Sequence, residues 1–69
     1  MNYYKLLDKK RNGTIVRTKG RDQQEYIPGR GWIDSYVILE YFNDKSPLYE
    51  LYEEITEAEA RILTGGDVS

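Results

Sequence analysis

YEEITEAEA, residues 52–60, decides the fold. Read as the middle of one helix running from Pro47 to Leu63, it places Leu48, Leu51, Tyr52, Ile55 and Ile62 on a single face, with Ser46 and Pro47 as the start. Read as a boundary, it ends a strand over residues 48–55 and opens a helix at Thr56-Glu57-Ala58-Glu59. That tetrad is a capping box, in which the threonine oxygen accepts from the Glu59 amide and the glutamate returns to the threonine amide. The box favours the boundary, because a helix begins at such a motif more naturally than it passes through. The divided reading also supplies the third strand that an isolated hairpin needs, since two strands alone are marginal in water. On alternation, Tyr49, Leu51 and Ile55 would share one face, with Glu53 as its polar exception.

Working outward, Tyr3-Tyr4-Lys5-Leu6-Leu7 is a short aromatic run suited to a half-buried strand. Asn12-Gly13 predicts a two-residue hairpin turn with positive φ at both central positions, and Thr14-Ile15-Val16-Arg17-Thr18 returns as the second strand. Residues 20–31 are polar and end in Pro28-Gly29-Arg30-Gly31, which reads as a loop with a short extended piece at Glu25-Tyr26-Ile27. Residues 34–42 carry Ile38, Leu39 and Phe42 at helical spacing, with Asp34 or Ser35 as cap; the run of Tyr, Val, Ile and Leu is the competing strand signal. The helix is favoured, ending near Asn43 and broken at Lys45-Ser46-Pro47. The last helix, residues 57–63, carries acids in its first turn and Arg61 toward its end, as the helix dipole prefers, and stops at Gly65.

The expected fold is therefore α+β, in the order β-β-α-β-α. It has a three-stranded, mainly antiparallel sheet with two short helices on one face. Residues 1–64 make one small domain, and residues 65–69 a frayed tail. The core is expected from Tyr4, Leu6, Ile15, Trp32, Ile38, Leu39, Phe42, Leu51, Ile55, Ala60 and Leu63.

Sixty-nine residues without cysteine or histidine leave a small core with no disulfide or histidine-bound metal to reinforce it, which makes a homo-oligomer an expected outcome. Absence of cysteine and of a signal or spanning segment points to the cytoplasm. The net charge of −2 hides a division. Residues 1–31 carry eight Lys/Arg against three acids, a net of +5, and residues 32–69 carry two against nine, a net of −7. Such asymmetry bears on partners rather than on fold.

Chemistry-bearing patterns are sparse. Glu50, Glu53, Glu54, Glu57 and Glu59 lack the Asp-x-Asp-x-Asp-Gly spacing of a calcium loop, so they read as a solvated acidic face and a helix cap; no metal or cofactor is expected. Without thiol or imidazole, and with little room for a buried cleft, catalysis is not expected. Lys9, Lys10, Arg11, Arg17, Lys19 and Arg21, with tyrosines near in sequence, form the alternative of a nucleic-acid contact along the hairpin. Pro28-Gly29-Arg30-Gly31 lacks the glycine spacing of a nucleotide fingerprint, and reads as a turn with Trp32 anchoring the core; exposed, Arg30 and Trp32 would suit a protein partner. Tyr49, Glu50, Tyr52, Glu53 and Glu54 complete that candidate partner surface. The favoured function is a non-catalytic protein-binding module, a small regulator, adaptor or inhibitor.

The leading Tyr-Tyr-Lys-Leu, the central Trp32, Tyr41-Phe42 and the closing Tyr52-Glu53-Glu54-Ile55-Thr56-Glu57-Ala58-Glu59-Ala60 together resemble small uncharacterised proteins of Gram-positive bacteria and their prophages. The resemblance spans most of the chain. It implies a β-β-α-β-α domain, names no activity, and favours an inhibitor or adaptor acting on a host protein.

Overall fold

The computed structural model describes residues 1–66, with elements β1 (Asn2–Leu6), β2 (Ile15–Lys19), β3 (Asp22–Ile27), β4 (Gly31–Asp34), α1 (Ile38–Phe42), β5 (Tyr52–Ile55) and α2 (Glu57–Leu63). The strands form one antiparallel sheet in the order β4-β3-β2-β1-β5. The class is α+β, but the sheet has five strands where three were expected.

Of the two additional strands, β3 lies within residues 20–31, expected as a loop, and β4 begins at the last of these, Gly31, and runs on to Asp34, expected as a helix cap. Lys19 faces Asp22 and Gly20 has φ 59°, so Gly20-Arg21 is a two-residue hairpin turn with its left-handed residue first, an arrangement whose twist matches that of the flanking strands. The next reversal is Pro28-Gly29. The Arg30 amide donates to the Ile27 carbonyl at 2.8 Å, with Gly29 at φ 86°, as in a type II turn. Between these turns β3 is polar, and its side chains find partners across the sheet. Arg17 Nε donates to Gln24 Oε1 at 2.8 Å, Gln24 Nε2 to Asp34 Oδ1 at 3.3 Å, and Ser35 Oγ to Glu25 Oε2 at 2.9 Å.

Asn12-Gly13 turns the chain, but not as a two-residue hairpin. The Thr14 amide donates to Arg11 C=O, only Gly13 of the pair has positive φ, and the β1–β2 connection runs over residues 7–14. The first helix also starts later than expected. Asp34 ends β4, Val37 is the N-cap without a side-chain bond, and Ser35 Oγ accepts from the Val37 amide at 3.3 Å.

The strand expected over residues 48–55 shortens to Tyr52–Ile55. Residues 43–51 are turns instead. Asn43 Oδ1 accepts from the Lys45 amide and Ser46 Oγ from the Leu48 amide, each at 3.1 Å, the local bonds by which Asn and Ser compete with regular structure. Glu50 is left-handed at φ 65°, and Thr56 is extended at φ −80°, ψ 163°; either residue alone excludes one helix from Pro47 to Leu63. Thr56 Oγ1 accepts from the Glu59 amide at 3.1 Å, as the capping box requires. At the other end the Gly65 amide donates to Ile62 C=O and the Gly66 amide to Arg61 C=O, with Gly65 at φ 70°. These are the paired bonds of a Schellman cap. Of the frayed tail expected over residues 65–69, Gly65 and Gly66 belong to this cap, and Asp67-Val68-Ser69 lie outside the described residues.

Alternation along β1 sends Tyr3 and Lys5 to one face and Tyr4 and Leu6 to the other. Tyr3, Ile15 and Ile55 pack with Ala60 of α2, whereas Leu6 and Val16 pack with Ile38 and Tyr41 of α1. The helices therefore cover opposite faces of the sheet, not one. In β5, Ile55 shares its face with Glu53, while Tyr49 and Leu51 precede the strand.

Leu6, Ile15, Ile38, Ile55 and Ala60 are buried as expected, and Tyr4 and Trp32 are half-buried against the core. Leu39, Phe42, Leu51 and Leu63 are exposed, and Tyr3, Val16 and Tyr41 are buried in their stead. The cause at α1 is its length. Five residues bury one narrow stripe, Ile38 and Tyr41, and turn Leu39 and Phe42 outward. No helix among the described residues is long and apolar enough to cross a membrane.

Candidate functional site

Asp8 and Tyr41, both buried, lie 33 positions apart in the chain and meet inside the fold, where Tyr41 Oη donates to the Asp8 carboxylate. That hydroxyl, helped by the loop amides of Arg11 and Lys10, holds Asp8 below the usual carboxylate range despite its burial. Burial and then the bond to Asp8 push Tyr41 up to about 12. Arg11, beside the same hydroxyl, is held further into its charged form. The β1–β2 loop is thus clamped to α1 by the buried bond between the Tyr41 phenol and the Asp8 carboxylate, with the half-buried Arg11 beside it.

Next to this clamp a groove of about 680 Å³ opens between residues 7–11 and 47–51. Its apolar lining is Leu7, Pro47, Leu48 and Leu51. The Leu7 amide donates to Leu51 C=O at 2.9 Å, which fixes one side of the groove to the other. Lys9, Lys10 and Arg11 also line it, with Glu40 of α1. Arg11 is engaged with Tyr41. Lys9 and Lys10 are exposed and, among the described residues, make no ion pair.

Apolar exposure is frequent in the segments that flank the groove and in α1. Ten large hydrophobic side chains are exposed among the described residues; six of them, Leu7, Tyr36, Leu39, Phe42, Tyr49 and Leu51, belong to the β1–β2 loop, α1 and the segments flanking α1. Phe42 is rooted by edge contacts to Tyr4 at 5.6 Å and Tyr52 at 5.2 Å. At side-chain areas of roughly 200 Å² and their fractional exposures, these six together expose about 570 Å².

The residues singled out from sequence do not form the two surfaces expected of them. Lys9, Lys10 and Arg11 sit at one end of β2, and Lys19 and Arg21 at the other, roughly 15 Å away at strand rise. Arg17 is on the sheet between them, its guanidinium 4.2 Å from the Trp32 ring centre. The hairpin therefore carries two separate basic groups, not one track. Arg30 and Trp32 belong to the β4 edge, whereas Tyr52, Glu53 and Glu54 lie on β5 at the opposite edge, about 19 Å across. Trp32 is half-buried against Tyr3 and Tyr26, which makes it a core residue and not an exposed anchor. Glu53 pairs with Lys5 at 3.1 Å, and Glu54 points to the other face. Tyr49 and Glu50 lie in the α1–β5 connection, beside the groove residues Leu48 and Leu51.

Sequence reading missed Leu7, Asp8, Glu40, Tyr41, Pro47 and Leu48 as site residues. No local signal marks Asp8 and Tyr41, because their partnership exists only once α1 packs on the sheet. Compared with known proteins, the chain matches no family model, no curated protein and no solved structure.

Proposed function

We propose that this chain is a non-catalytic protein-binding module, a small regulator, adaptor or inhibitor, whose contact surface is the α1 side of the sheet. One observation carries this reading: an apolar groove lined by Leu7, Pro47, Leu48 and Leu51, of which Leu7 and Leu51 are exposed, opens beside α1, while α1 and its flanking segments expose Tyr36, Leu39, Phe42 and Tyr49. Singly exposed apolar residues need no explanation, but an apolar groove whose rim carries lysines is the kind of feature that marks a protein contact. The ionisable pair of the site, Asp8 and Tyr41, is buried and mutually bonded, which suits a clamp rather than a general acid or base. The split of the basic residues weighs against a continuous nucleic-acid track.

Affinity capture from host lysate, with nuclease present, tests the reading. A stoichiometric protein partner should be retained by the wild type and by Ile62→Glu, altered on the far helix, and lost from Leu39→Glu/Leu51→Glu. Capture that is nuclease-sensitive, or indifferent to Leu39 and Leu51, contradicts it.

A further inference from the structure

The protein-binding reading leaves open what kind of chain fits the groove, and the residues around the groove constrain that choice. Leu7, Pro47, Leu48 and Leu51 offer an apolar floor with no polar side chain to satisfy. The volume of about 680 Å³ has room for a few side chains and not for a folded domain. Beside this floor stand Lys9 and Lys10, which make no ion pair among the described residues. Against them in the lining stand two carboxylates, Asp8, bonded to Tyr41, and Glu40, which makes no ion pair among the described residues. With Lys9, Lys10 and Arg11 the lining carries three positive charges against two negative ones and stays net positive.

We propose that the groove takes a short acidic segment of a partner protein, its apolar side chains on Leu7, Leu48 and Leu51 and its carboxylates on Lys9 and Lys10. This rests on the protein-binding reading and narrows it. The rigid frame supports such a use, since the Asp8–Tyr41 clamp and the Leu7–Leu51 backbone bond hold both sides of the groove before any ligand arrives. The lysines set approach and preference, and the apolar floor holds the segment.

The experiment is selection from a random peptide library on the wild-type chain and on Lys9→Glu/Lys10→Glu. Sedimentation and binding of a single-stranded oligonucleotide are measured on both proteins. The charge changes lie on exposed side chains, and circular dichroism confirms that the variant is folded. Wild type should enrich peptides with Asp or Glu beside Leu, Phe or Trp, and these should bind the variant about tenfold more weakly. Enrichment of basic or uncharged peptides, no enrichment, or equal binding by both proteins would overturn the proposal. So would a dimer that the variant dissociates, which assigns the groove to a second copy, or oligonucleotide binding that only the wild type shows. Captured partner that depends on Leu39 and Leu51 but not on the lysines sinks this proposal and leaves the protein-binding reading standing.

Discussion

Replacing Tyr41 by phenylalanine removes one oxygen from the clamp and keeps the ring in its place. Tyr41 has no solvent exposure and its hydroxyl donates to an ionised carboxylate that is itself 7% exposed, so water cannot easily take over the bond. Hydrogen bonds to charged groups contribute about 1.5–3 kcal/mol net, and Asp8 retains amide partners in its own loop, which places the expected cost near 2 kcal/mol. In a domain of this size that is a fall in Tm of about 8–16 °C. The pH dependence carries a second signature. Asp8 titrates below its ordinary 3.8 when folded, so its contribution is complete above that value and is lost as pH falls through the folded one. Tyr41 is raised from 10.0 to about 12, so its contribution is complete below 10.0 and is lost as pH rises through the folded value. The gap between wild type and Tyr41→Phe should therefore be widest near neutrality and narrow at both extremes. Urea unfolding followed by circular dichroism at several pH values measures it. A gap under about 0.5 kcal/mol at pH 7, or one that does not narrow toward either extreme of pH, refutes the clamp.

Thr56→Ala removes the side-chain acceptor for the Glu59 amide and should cost about 1 kcal/mol in the same unfolding assay. Gly20→Ala meets no neighbouring atom but forces a side chain onto φ 59°; it should cost about 1 kcal/mol by the same measurement, and no loss would argue against the β2–β3 turn. Reversing the half-exposed Lys5–Glu53 pair by the double exchange Lys5→Glu/Glu53→Lys should leave the urea midpoint within about 0.5 kcal/mol of wild type.

Elements with their own local grammar were legible in the sequence, and those that depend on distant partners were not. Thr56 and Gly65 announce the two ends of α2, because caps are satisfied within a few residues. β3 could have been found from Gly20-Arg21 placed after a β-branched run, yet its own residues Asp22-Gln23-Gln24-Glu25 lack strand propensity. Its stability comes from pairing with β2 and β4, including the row Arg17, Gln24, Asp34. Reading that segment as loop removes β3 and leaves β4, which pairs only with β3, without a neighbour. The candidate site suffered from the same cause. Lys9, Lys10 and Arg11 read as basic, and Tyr49 and Glu50 as a partner surface, but it takes the non-local β1–β5 pairing, which sets Leu7 against Leu51, and the Asp8–Tyr41 bond to bring the β1–β2 loop beside the α1–β5 connection.

Hydrogen exchange on the captured complex tests the placement of the binding surface most directly. Bound protein should gain protection in residues 7–11, 36–42 and 47–51, with the β2–β3 turn and the outer face of α2 unchanged. Protection centred on Lys19 and Arg21, or on α2, with the groove still exchanging freely, would contradict the account.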